Sequence, residues 1–250
     1  MIPKIIHLCW ISGDPYSALI KHCLESWDRI IPEYEVILWN AERVKDIESV
    51  WVDEAIRSGK YAFAADFVRL YALYYFGGIY LDADVEVIKS FDPLLNNNSF
   101  IGLETSLDFE AAVVGSEPGA EWVKSCLDHY SNRNFIDDKG KMDLTPLPIV
   151  INTVLKNSYG ISVELNSLPM QFIHPSLNVY PPSYFSPKNR HNGKISNDYS
   201  TFCIHHLDGS WVDKSASGFV RRSVHYLLST IFGTDKHNKF VSIYRKYFRR

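Results

Sequence analysis

The 250-residue chain has no apolar run approaching the roughly 20 residues that a helix needs to cross a bilayer. It is also poor in cysteine. Cys9, Cys23, Cys126 and Cys203 are widely spaced with no C-x-x-C pair, which argues against a structural zinc site or a disulfide framework and fits a reducing compartment. They read as small buried apolar residues. No internal repeat and no low-complexity linker divides the sequence. Pro3, Lys4 and His7 interrupt the N-terminal apolar run, and no small-residue cleavage site follows, so this stretch reads as a first strand and not as a leader. The net charge is only −3 and no recognised DNA- or RNA-binding module is present, which sets nucleic acid aside as a partner.

The composition supports a large core in one enzyme-sized domain: 46% of residues are hydrophobic and 14% aromatic. Strands are expected at 4–11, 34–39, 79–88, 99–104 and 111–114, and helices around 17–29, 48–57, 61–76 and 119–131. That alternation predicts an α/β fold, a Rossmann-like, mostly parallel sheet with flanking helices. Ligands of such sheets bind beyond the carboxyl ends of the strands. From 133 to 200, Asn, Pro, Ser and Tyr become frequent. Within that region 147–159 reads as a helix, and the proline-rich run 180–187 reads as a surface loop near the cleft.

The densest chemistry lies between Tyr61 and Ile88. Residues 61–76 contain no Gly or Pro, so a helix is expected, with Asp66 and Arg69 at i,i+3 on one face. Such a pair is either a surface ion pair or, in an otherwise apolar helix, a pair facing a polar cleft. Gly77-Gly78 ends the helix, and Ile79-Tyr80-Leu81 restarts as an apolar strand running into Asp82-Ala83-Asp84. Side chains two apart in a strand share a face, so both carboxylates are expected to meet one divalent cation. Hard oxygen donors suit Mg²⁺ or Mn²⁺, which leave coordination positions for substrate phosphates.

The run A-D-x-x-R-x-x-x-L-Y-x-x-G-G-x-Y-x-D-x-D, from Ala65 to Asp84, resembles the signature of the DXD-containing sugar-transferase families. These include initiating α-mannosyltransferases, bacterial capsule transferases and glucosylating toxins. Ile2 to Ile11 resembles the family's first strand. Ser26-Trp27, Pro32 to Glu35 and Leu38-Trp39 resemble its second-strand region, and His205 to Trp211 resembles its closing element. The resemblance is loose from 105 to 200. It implies a GT-A type catalytic domain over 1–220, with a nucleotide-sugar half at 1–115 and acceptor-side and closing elements at 116–220.

The donor-binding set implied by this resemblance is Trp10, Ile11, Asp66, Arg69, Gly77, Gly78, Asp82, Ala83, Asp84, Ser210 and Trp211. Trp10, at the end of the first strand, either stacks on a nucleotide base or belongs to the core; its strand-end position favours stacking. His205 and His206 follow a strand expected at 199–204, and neighbouring strand residues face opposite ways, so one of the two is expected to bind metal. His206 is chosen because it opens the H-x-x-x-x-W element. The metal set is then Asp82, Asp84 and His206, holding Mn²⁺ or Mg²⁺. The catalytic set is Asp66, Arg69, Asp82 and Asp84, and no nucleophile or general base can be assigned.

The activity implied is retaining, metal-dependent transfer of a sugar from a UDP- or GDP-sugar to an oligosaccharide or lipid-linked glycan in surface polysaccharide synthesis, such as capsule, O-antigen or lipooligosaccharide. Alternatives are a toxin- or effector-type enzyme acting on protein, and a catalytically silent sugar-binding module. A D-x-D phosphatase is disfavoured because Val85-Glu86, not Gly-Thr, follows Asp84. The segment 221–250 carries eight Lys or Arg against the one acid Asp235, interleaved with Tyr226, Phe232, Phe240, Tyr244, Tyr247 and Phe248. A basic aromatic helical tail of this kind is expected to rest on an anionic membrane, placing the protein at the cytoplasmic face of the cell membrane. The competing reading is a helix packed on the domain with its charges solvated.

Overall fold

The computed structural model describes residues 1–105, 108–163, 168–190 and 192–208. The basic tail, with Ser210 and Trp211, lies outside the described residues. Strand β1 (Ile5–Cys9) leads through α1 (Ala18–Ile30) to β2 (Glu35–Trp39). The short α2 (Ala41–Val44), α3 (Val50–Arg57) and α4 (Tyr61–Phe76) then return the chain to β3 (Gly78–Leu81) and β4 (Val85–Val87). Next come β5 (Ser99–Leu103), β6 (Phe109–Ser116), α5 (Glu121–Asp128) and α6 (Leu147–Tyr159), and finally β7 (Met170–Phe172), β8 (Leu177–Tyr180), α7 (Pro182–Phe185) and β9 (Cys203–His205).

Seven strands form one sheet in the order β2-β1-β3-β6-β5-β8-β7, and β4 pairs with β9 in a separate ribbon. The expected α/β sheet with flanking helices is present. Its β2-β1-β3 part is parallel, as is the β5/β8 pair, while β6 and β7 run antiparallel to their neighbours. The chain leaves β1 toward β2 on one side and returns to β3 on the other, which opens a crevice at the carboxyl ends of β1 and β3.

On β1 and β3, strand parity divides the core. Ile6, Leu8, Ile79 and Leu81 point into one apolar layer with Trp27 of α1, Phe91 and Phe185. Tyr80, Ala111 and Val114 belong to the opposite layer, built on Trp51, Val68, Leu73, Trp122 and Leu155 from α3 to α6. The sequence pattern hid one part of this arrangement. The proline-rich run 180–187, expected as a surface loop, instead ends β8, which is parallel to β5, and forms α7 with the fully buried Phe185. Pro181 and Pro182 sit just past the strand's end and at the first turn of α7, where a missing N–H leaves no ladder bond unmade.

Helix α4 stops at Gly77, whose φ of 64° lies in the left-handed region and whose N–H returns to the Leu73 carbonyl. Gly78 (φ +103°) lies against β1, where a Cβ would come within 2.6 Å of the Ile5 carbonyl oxygen. Beside this turn His7 is fully buried. Its Nε2 donates to the Gly77 carbonyl (2.7 Å) and its Nδ1 accepts from Trp39 Nε1 (3.2 Å), a pairing that only the neutral ring satisfies. Burial, with Arg43 nearby, lowers its pKa from 6.5 to about 4 despite the Gly77 bond.

Because the folded-state value is depressed, this term favours folding above pH 6.5 and is lost as pH falls toward 4. The full contribution is on the order of 3 kcal/mol. We expect urea midpoints between pH 6.5 and 4 to fall less steeply in His7→Gln than in the parent. Identical slopes would contradict the neutral, buried assignment.

Candidate active site

The site is built on the carboxyl end of β3. Tyr80 faces α4, and Asp82, two residues on, continues on that side. Asp82 makes a last sheet bond through its N–H to the Ala112 carbonyl (2.9 Å), and its own carbonyl then accepts the Val85 N–H (3.0 Å). The strand expected over 79–88 is thus broken by a turn at Asp82–Asp84. Strand parity does not bring the two carboxylates together; the turn does, with Ala83 at its centre packed against the α1-side core.

Arg69 is the structural partner of this turn. Its Nη2 lies 3.3 Å from Asp66 Oδ1 and 3.3 Å from Asp82 Oδ1, and its Nη1 donates to the Ala111 carbonyl (2.6 Å). The guanidinium carbon lies 4.4 Å from the centre of the Tyr80 ring, whose hydroxyl donates to Asp82 Oδ1 (2.9 Å). Asp66 and Arg69 share one helix face as their spacing predicts, but the pair is buried. The second Asp66 oxygen accepts the Leu147 N–H (3.1 Å) at the start of α6, a helix with no side-chain cap of its own. Burial raises the Asp66 pKa to about 6 even though Arg69 and the Leu147 N–H pull it down.

The third component arrives from β9, antiparallel to β4 with Val85 opposite His205. Ligand atoms of Asp82, Asp84 and His205 lie within 4.8 Å of one another, and His205 Nε2 is 3.5 Å from Asp84 Oδ1. The expectation placed on His206 therefore moves one residue back. His206 points the other way, as β alternation requires, and its Nε2 lies 2.9 Å from Glu86, which also pairs with His22 of α1 at 3.3 Å. His206 contributes through its backbone: its N–H donates to the Asp84 carbonyl (3.0 Å), while the Asp208 N–H donates to Asp84 Oδ2 (2.8 Å). Asp84 thus fastens the closing segment down.

His205 Nδ1 meets Glu110 of β6 at 2.5 Å, and the Ser186 hydroxyl donates to the other Glu110 oxygen. Burial lowers the His205 pKa, but Glu110, Asp84 and Asp82 outweigh it and carry it up to about 9. Glu110 was absent from the sequence-derived set. The signal for it was a lone acid inside the apolar run Phe109-Glu110-Ala111-Ala112-Val113.

Trp10 follows β1 directly, at the same end of the sheet as Asp82. It is half-buried, donates Nε1–H to the Asp14 carbonyl (2.8 Å), and packs edge-on to Tyr16 at 4.9 Å. Ile11 is instead a buried core residue. Gly77 and Gly78 do not join the site. They sit at the opposite end of β3, about 13 Å from Asp82 at strand rise, and serve the α4-to-β3 turn.

Two carboxylates and an imidazole, partly buried yet reachable (side chains 29%, 14% and 12% exposed for Asp82, Asp84 and His205), fit a divalent cation that binds phosphate oxygens. Residues 17–101 match the family model of the glycosyltransferase sugar-binding region containing the DXD motif. Over those residues the chain is similar to DXD-type glycosyltransferases. It is 28% identical over 194 residues to a mannosyl phosphorylinositol ceramide synthase of Saccharomyces cerevisiae, CSH1, covering 74% of this chain and 51% of the relative. It is 31% identical over 125 residues to inositol phosphoceramide mannosyltransferase 3 of Schizosaccharomyces pombe, covering 47% and 34%. The chain thus spans about a third to a half of the length of these curated relatives. Among solved structures, the PaToxG glycosyltransferase superposes with a TM-score of 0.49 at 21% identity over 64% of this chain and 70% of its own. The galactosyltransferase LgtC does so with a TM-score of 0.45 at 12% identity over 89% and 95%.

Removing the guanidinium would strand Asp66 and Asp82 without their shared counter-charge. We expect Arg69→Met to cost about 3–5 kcal/mol in urea unfolding, and Arg69→Lys, which keeps the charge but loses the fork, to cost less. Equal stability of Arg69→Met and the parent would show that the ion pairs are dispensable.

Proposed function

We propose that the protein is a metal-dependent, retaining glycosyltransferase that moves a hexose from a nucleoside-diphosphate sugar to a glycan acceptor, in surface polysaccharide or lipid-linked glycan synthesis. The observation that carries this reading is the convergence of Asp82, Asp84 and His205 beyond β3, at the end of the sheet where Trp10 follows β1. The lipid-borne acceptors in the names of the inositol phosphoceramide relatives support the lipid-linked choice.

Breaking the anomeric C–O bond builds negative charge on the departing diphosphate. A bound Mn²⁺ or Mg²⁺, held by Asp82, Asp84 and His205, supplies Lewis-acid neutralisation of that charge. Arg69 and Tyr80 hold Asp82 in a fixed orientation, so reorganisation during the reaction is small. Asp84 keeps the 206–208 backbone over the site through two N–H bonds. Trp10 offers an aromatic face to a nucleotide base. Asp66 is committed to Arg69 and Leu147, so its support for the donor sugar acts through the position of Arg69 and α6.

Turnover of UDP- and GDP-hexoses with Mn²⁺, followed by HPLC of the released nucleoside diphosphate, tests the reading. Release from one donor class is expected, with Asp84→Asn and His205→Ala each lowering it at least 100-fold while circular dichroism stays unchanged. An α-linked product from an α-linked donor is expected by NMR. Binding of nucleotide sugar without turnover under any acceptor would instead identify a silent sugar-binding module.

We also propose that residues 221–250 hold the enzyme at the cytoplasmic face of a membrane. Their eight cations, at about 1 kcal/mol each near an anionic surface, and the four free cysteines support this placement. Co-sedimentation with phosphatidylglycerol vesicles is expected, with loss on changing Arg245, Lys246, Arg249 and Arg250 together to Gln. Retention by the quadruple variant would refute the tail's role.

A further inference from the structure

Two adjacent residues of β6 serve the two halves of the site. The Ala111 carbonyl fixes Arg69 and through it Asp82, while the side chain of the preceding Glu110 reaches His205. Glu110 is 1% exposed in a strand that is otherwise apolar and buried. A carboxylate there costs several kcal/mol in desolvation unless its oxygens are satisfied. Both are: one accepts from Ser186 of the α7 cap and the other from His205 Nδ1. With Nδ1 committed to Glu110, only Nε2 of His205 faces Asp84.

We infer that Glu110 is a positioning residue that fixes the ring of His205 with Nε2 directed at the Asp82–Asp84 pair, and that the Ser186–Glu110–His205 chain tunes the affinity of the site for a divalent cation. The inference rests on the metal-dependent reading above. A buried carboxylate on the far nitrogen of a ligating imidazole orients the ring and raises its basicity, and loss of such a partner commonly costs 10–100-fold in metal affinity. Ser186 orients the carboxylate in turn. This links the α7 segment, which packs against β5 and β9, to the metal ligand two contacts away.

Electron paramagnetic resonance titration of the full chain with Mn²⁺ alone tests this, because it reads the ion's affinity and its coupling to imidazole nitrogen without reference to turnover. Glu110→Ala is expected to weaken Mn²⁺ about 10–100-fold and to diminish the nitrogen coupling. Glu110→Gln, which keeps an acceptor but loses the charge, should fall between Ala and the parent, and Ser186→Ala should weaken binding less than Glu110→Ala. In His205→Ala the nitrogen coupling disappears, and adding Glu110→Ala should weaken Mn²⁺ no further. Thermal unfolding checks that each variant folds; if Glu110→Ala does not, Glu110→Gln carries the comparison. Parent-like affinity and coupling in the folded Glu110 variants would overturn the inference alone. A parent protein that takes up no Mn²⁺ would overturn the metal-dependent reading and this inference with it.

Discussion

One buried cation organises the site. Arg69 projects from an otherwise apolar helix into a layer of Ala, Val, Leu and Tyr side chains, where an unpaired charge would be prohibitively costly. It is held by Asp66, Asp82, the Ala111 carbonyl and the Tyr80 ring, so four elements (α4, β3, β6 and, through Asp66, the start of α6) are tied to one guanidinium. Its pKa rises further, because the surrounding carboxylates outweigh the cost of burial. The charge is therefore permanent, and Asp82 is fixed before any ligand arrives.

The remaining half is assembled differently. Asp84 stands on a turn beyond the strand, and what fixes it is the β4/β9 ribbon, the backbone of 206–208 and His205 with Glu110 behind it. The two acids of the D-x-D motif thus have separate supports, one through Arg69 and one through His205, and the supports meet at β6.

The opposite end of the same strand shows why the glycine pair is needed. Gly77 and Gly78 allow α4 to turn directly into β3 against Ile5 and Pro118, with the neutral His7 taking up the Gly77 carbonyl. That tight turn sets the register of β3 on β1, Ile6 beside Ile79 and His7 beside Tyr80. It thereby sets how far Asp82 extends past the sheet. The glycines shape the site from about 13 Å away, as part of its scaffold.

Local sequence was enough to determine α4 and α6 to the residue, the α/β alternation, and the shared face of Asp66 and Arg69. Helical periodicity, glycine punctuation and charged residues within apolar runs are local signals, and each was legible without partners. Which histidine faces the acids was not, because it depends on where β9 ends and on its register with β4, a pairing across more than a hundred residues. The same holds for Glu110, whose contacts exist only once β9 and α7 lie over β6, and for the proline-rich run that became the end of β8 and α7. The turn at Asp82–Asp84 also escaped a reading by alternation, since it is the departure of β4 from the main sheet to pair with β9 that breaks the strand there. The sequence placed Asp66, Arg69, Asp82 and Asp84 together at this end of the sheet. Only long-range pairing decided which of their atoms meet.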